Sequence, residues 1–97
     1  MKVLHENGEP TAETGKELLF YCPGCQQYHA FVVERQMHPV WTWNGNLEKP
    51  TFTPSLLVHG STDKPCHLYV VNGQIQYLSD CFHDLRGQTV DMQQIDW

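Results

Sequence analysis

Apolar and β-branched residues fall in short runs between polar, turn-rich stretches, and no run continues with the 3.6-residue period of a long amphipathic helix. "ELLFY" (17–21) predicts a strand leading into the knuckle "CPGC", and "YHAFVVE" (28–34) predicts the return strand. "VWTWNGNLEKPTF" (40–52) places Trp41 and Trp43 on one face of a strand, with a turn at Asn44-Gly45. "PSLLVHG" (54–60) predicts another short extended piece. "CHLYVVNGQIQYLSDC" (66–81) is the clearest element, two β-rich runs joined by Asn72-Gly73. The tail from Phe82 to Trp97 predicts a helical turn followed by an extended segment. The expected fold is mostly β, a small single domain of β-hairpins with a zinc knuckle. The polar stretch "GEPTAETGKE" (8–17) sets the first ordered element near Leu18, leaving residues 1–16 loosely ordered within a domain that spans 1–97.

The Asn72-Gly73 turn fixes a register. Val71 pairs with Gln74, Val70 with Ile75 and Leu68 with Tyr77, while His67 faces Leu78 and Cys66 faces Ser79. Alternation then collects Cys66, Leu68, Val70, Ile75, Tyr77 and Cys81 on one apolar side, and His67, Tyr69, Gln74, Gln76 and Asp80 on the other. A slip of one residue would reverse every assignment. Two chemistries are thereby separated across a single hairpin.

Composition narrows the class. Ninety-seven residues with 40% hydrophobic positions suffice for one compact domain, near the size at which a metal or disulfide often supplements the core. No apolar run is long enough to span a bilayer, and the first ten residues have no signal-peptide core. The expected location is the cytosol of a bacterial host. Six Lys and Arg against eleven Asp and Glu give a net charge of −5 with no basic cluster, which argues against nucleic acid as a partner.

Four cysteines in a cytosolic chain favour metal over disulfides. Cys22 and Cys25 have the two-residue spacing that lets both thiolates of a tight turn reach one ion, and structural zinc takes two further ligands from a distant element. Cys66 and Cys81 are the expected second pair, sharing one face at the open end of the hairpin. His29, beyond the knuckle, and His83, near Cys81, compete with them as ligands. His5, His38 and His59 lie in polar or loop-like surroundings, and Trp41, Trp43 and Phe52 are expected in the core.

Ser55 follows Pro54, and His67 opens a strand. The residues alone leave two readings: a turn serine with a strand histidine, or a nucleophile with its base. No "G-x-S-x-G" elbow or "H-E-x-x-H" motif occurs. Asp80 is one diagonal step from His67 on the same face and could orient the ring as a third member. His83 could do so instead if it is not a metal ligand.

"PTFTPSLLV", "CHLYVVNGQI" and "LSDCFHDLRGQTVD" together resemble a family of short phage and prophage proteins, some of them labelled ammonia monooxygenase. The resemblance runs from "YCPGC" through "WTWNGN" to the final "DW" and is weakest over the first ten to fifteen residues. A more distant resemblance is to small proteins of bacterial ubiquitin-like conjugation operons. These share a Cys-rich knuckle, a Pro-Ser element and a His six residues before a hairpin Gly, and their Ser–His dyad has been proposed to act as a protease. The matching positions are Ser55, His67 and Gly73; the knuckle spacing and the position of Cys66 depart from that group. The resemblance implies a zinc-stapled serine hydrolase or peptidase with a Ser55–His67 dyad and a protein or peptide as substrate, to which the hairpin register adds Asp80 as a candidate third member. Two alternatives stay open: a non-catalytic zinc-binding adaptor for a host or phage protein, and a catalytic zinc with an open position.

Overall fold

A computed structural model describes residues 2–11, 15–34, 36, 40–58 and 65–95. Eight strands run in chain order: β1 (His5–Thr11), β2 (Gly15–Cys22), β3 (Gln27–Val33), β4 (Thr42–Trp43), β5 (Phe52–Val58), β6 (Cys66–Val71), β7 (Gln74–Tyr77) and β8 (Thr89–Asp91). They form a three-stranded sheet, β1-β2-β3, and a five-stranded sheet, β4-β5-β6-β7-β8. Every pairing is antiparallel. No helix occurs among the described residues, and none there is long and apolar enough to cross a membrane. The mostly β expectation holds.

Alternation builds the core between the sheets. Leu18 and Phe20 of β2 point inward with Phe31 and Val33 of β3, while Phe52, Leu56, Leu68, Val70 and Ile75 do so from the larger sheet. Phe31 and Phe52 stack across the interface with ring centroids 3.9 Å apart and planes 2° from parallel. Trp41 meets Phe31 edge-on, and both Trp41 and Trp43 pack against this core.

The Asn72-Gly73 hairpin has the register its sequence dictates, from Val71↔Gln74 to Leu68↔Tyr77. The Leu78 amide donates to the His67 carbonyl at 3.0 Å, which extends the pairing by one step. Both turn residues adopt positive φ, 53° and 79°, as a type I′ turn requires. Gly73 is further confined because a Cβ there would lie 3.1 Å from Lys49 Cα. The expected helical turn after Phe82 is a pair of tight turns, with the Arg86 amide donating to the His83 carbonyl and Gln88 to Leu85.

The N-terminal expectation needs correction. Order begins well before Leu18: β1 pairs with β2 through His5↔Leu19, Glu6↔Leu18 and Asn7↔Glu17, and Val3 and Leu4 are buried. The polar sequence of β1 conceals an edge strand. Backbone pairing and two anchoring apolar residues hold it, with a Lys16–Glu6 ion pair at 3.1 Å and an Asn7–Glu17 hydrogen bond at 2.9 Å. His38 and His59 lie outside the described residues.

Candidate active site and metal cluster

Strands β5 and β6 carry Ser55 and His67. The register between them shifts from Phe52↔Val70 to Leu56↔Leu68, so β5 has two more residues than β6 over this interval. Pro54 and Ser55 lie in that irregularity, after a cis Thr53–Pro54 peptide. The Trp41 indole N–H donates to the Ser55 carbonyl at 3.2 Å and ties this backbone to the segment before β4.

The Ser55 hydroxyl and His67 Nε2 are 3.0 Å apart. On the far side of the ring, Nδ1 lies 3.2 and 3.1 Å from the two carboxylate oxygens of Asp80. Asp80 comes from the turn after β7, where the Cys81 amide donates to the Leu78 carbonyl. A carboxylate only accepts, so neutral His67 carries its proton on Nδ1 and turns the Nε2 lone pair toward the Ser55 hydroxyl. That is the tautomer a general base for serine requires. The His67 side chain is 24% exposed and that of Asp80 62%, so the imidazole is sheltered and its carboxylate partner meets water.

The other face of the same hairpin carries the thiols. Cys22, Cys66 and Cys81 are buried and Cys25 half-buried, all as free cysteines. One ligand atom each from Cys22, Cys25, His29 and Cys66 lies within 4.8 Å of every other, and Cys66, Cys81 and His83 form an overlapping second group. The Cys22 and Cys66 sulfurs are 3.9 Å apart. Two thiolates at about 2.3 Å from a tetrahedral zinc would be about 3.8 Å apart. Nε2 of His29 is buried without a hydrogen-bond partner among the described residues, which suits a metal-ligating nitrogen. These residues could hold a metal ion.

Charge in the cluster concentrates on Cys22. The Cys66 thiol, donating to it, holds Cys22 well below the ordinary thiol range against the opposing effect of burial. The nearby His29 ring, the Tyr77 hydroxyl at 3.1 Å and the Cys25 amide at 3.4 Å act in the same direction. Cys66 is correspondingly pushed up, first by donating to Cys22 and then by burial. Burial, followed by the charge on Cys22, raises Cys25 to about 11.

His83 stands differently from His29. The Leu85 amide donates to its Nδ1 at 3.2 Å, so the neutral ring carries its proton on Nε2. That atom faces the sulfurs of Cys81, Cys66 and Cys22 at 3.2, 3.5 and 4.0 Å. A protonated Nε2 donates to sulfur and has no lone pair for a metal. Gly24 gives the ring its seat, because a Cβ there would overlap it.

The structure thus brings Ser55, His67 and Asp80 together on one face and gathers all four predicted cysteines with both competing histidines on the other. Sequence reasoning misses Tyr77 as the partner of Cys22, although the hairpin register already puts it on the cysteine face. It also misses the Trp41 brace on Ser55, for which the sequence has no local signal.

No curated protein and no solved structure matches the chain. A family model described as bacterial ubiquitination-like system serine protease (BubE) matches residues 3–78, a span that includes Ser55 and His67 and stops short of Asp80. By that match, over most of its length, the chain belongs to the bacterial ubiquitination-like system serine protease family.

Proposed function

We propose that this protein is a serine hydrolase of peptide or protein substrates, with Ser55 as nucleophile, His67 as general base and Asp80 as the group that orients and charge-balances the ring. The observation that carries the reading is the 3.0 Å contact between the Ser55 hydroxyl and the Nε2 lone pair of a ring held at Nδ1 by a carboxylate. His67 takes the Ser55 proton as Oγ bonds to the substrate carbonyl carbon. The imidazolium, stabilised by Asp80, then gives that proton to the leaving group as its bond to the carbonyl carbon breaks. Water enters by the reverse sequence, releases the acid product and restores the hydroxyl.

Zinc belongs to the same reading as a structural element. Cys22, Cys25 and Cys66 would hold it with His29, whose buried ring nitrogen lacks another partner. Bound there, zinc would tie the β2–β3 knuckle to the first residue of β6, in the tetrahedral N and S environment of closed sites. Cys81 would be a thiol hydrogen-bonded to the His83 N–H, in place of the fourth-ligand role its sequence position implies. Cys66 and His67 are consecutive and face opposite sides of β6, so the ion would steady the strand that carries the base. Four cysteines with no disulfide among them suit a reducing cytosol.

The test is covalent labelling by a fluorophosphonate probe, comparing the native protein with Ser55→Ala and His67→Ala. Labelling that both substitutions abolish, with folding and metal content intact, is the expected result. If the native protein fails to label while a control hydrolase does, the hydrolase reading falls. A metal-stapled binding domain for a protein partner then becomes the better account.

A further inference from the structure

The outer face of the five-stranded sheet holds the Ser55–His67 pair together with side chains that the proposed chemistry leaves unused. Alternation sends Leu56, Leu68 and Val70 into the core and leaves Leu57, Tyr69 and Val71 outside, 46%, 39% and 37% exposed. An antiparallel sheet with one face in water is usually polar on that face. The other half of this face obeys the rule, with Gln74 and Gln76 on β7 and Thr89 and Asp91 on β8. The apolar positions are confined to β5 and β6, the strands that carry the nucleophile and the base.

Register places these residues relative to the chemistry. Leu57 is the cross-strand partner of His67, and it follows Ser55 by two residues on the same side of β5. Tyr69 follows His67 by two on the same side of β6. Direct cross-strand neighbours have Cβ atoms about 5 Å apart, and same-face residues along a strand are about 7 Å apart. The base is therefore flanked by Leu57 across the ladder and by Tyr69 along it. A carbonyl within reach of Ser55 Oγ has to bring its substituents down on this strip.

We propose that Leu57 and Tyr69 form the recognition surface of the site and select substrates with an apolar or aromatic group next to the scissile carbonyl. The inference rests on the hydrolase reading above and adds its substrate class. Leaving a leucine and a tyrosine this open to water gives up stability that burial would supply. Covering them during each encounter returns part of that free energy where a carbonyl meets the nucleophile.

A series of p-nitrophenyl esters tests it: acetate, butyrate and hexanoate, each assayed for kcat/KM. In each reaction Ser55 Oγ displaces p-nitrophenolate from the acyl carbon, and water then releases the carboxylic acid. Full burial of a methylene is worth about fourfold. A strip that covers one side of the chain should give about twofold per methylene, or roughly 16-fold from acetate to hexanoate. Leu57→Ser and Tyr69→Ser should each flatten that series while their thermal unfolding stays near that of the native protein. A protein that labels at Ser55 but hydrolyses the three esters equally, or whose slope survives both substitutions, would overturn the recognition surface and leave the hydrolase reading standing. A native protein that neither labels nor hydrolyses any ester overturns both.

Discussion

Replacing Asp80 with alanine removes the carboxylate that holds the His67 ring at Nδ1 and that, in the proposed mechanism, balances the charge formed as Ser55 is deprotonated. At 3.1 Å, the attraction between carboxylate and imidazolium is about 1.3 kcal/mol at the dielectric of water and about 5 kcal/mol at an effective dielectric of 20. Asp80 is 62% exposed and His67 24%, which places the pair near the weaker limit. An effect of about 2 kcal/mol follows, or roughly a 30-fold loss of rate. The assay is the second-order rate constant for fluorophosphonate labelling of Ser55, in which the same proton moves to His67. Asp80→Ala should label about 30-fold more slowly, with thermal unfolding almost unchanged because the residue is on the surface. Asp80→Asn should label at least as slowly as Asp80→Ala, since its amide carries no charge and its NH2 can donate to Nδ1, which puts the ring proton on Nε2. Labelling of Asp80→Ala within twofold of the native rate would refute the three-residue site and reduce it to a dyad.

The cysteine–histidine cluster and its surroundings yield two further predictions. With zinc bound as proposed, Cys22→Ser should lose it, measured by elemental analysis, and should cease to unfold cooperatively. Structural zinc contributes about 10–16 kcal/mol in small domains, comparable to or larger than the roughly 5–15 kcal/mol of a whole fold; an unchanged melting temperature with full metal content would defeat this expectation. Gly24→Ala should force the His83 ring off the knuckle, because the new Cβ overlaps it and the ring is packed edge-on against Tyr77 at 4.5 Å. Overpacking of this kind costs about 1–3 kcal/mol, which lowers the melting temperature of a domain this size by several degrees. A melting temperature within a degree of the native value would show that the ring can move freely.

Interactions between near neighbours in the chain make much of this molecule legible in its sequence. The Asn72-Gly73 dipeptide suits a turn that needs two residues with positive φ, and that turn with strict period-two alternation decides which side chains share a face. On that basis alone, Cys66, Tyr77 and Cys81 belong with the core and His67 and Asp80 with the solvent. The "CPGC" knuckle is local in its two-residue spacing, which lets two thiols converge, whereas its glycine answers a distant contact with the His83 ring. What the sequence does not determine depends on contacts between distant segments. The polar strand β1 is invisible to hydrophobic patterning because backbone pairing with β2 holds it. Whether Ser55 meets His67 depends on the irregular pairing of β5 with β6, which moves the serine along the strand, and on Trp41 bracing its carbonyl. The separate roles of His29 and His83 are undecidable from spacing. One nitrogen is left unpartnered in the core, whereas the Leu85 amide holds the other ring with its proton on Nε2. Pattern and turn chemistry are properties of neighbouring residues; hydrogen-bond partners across two packed sheets are not, and only the folded chain decides them.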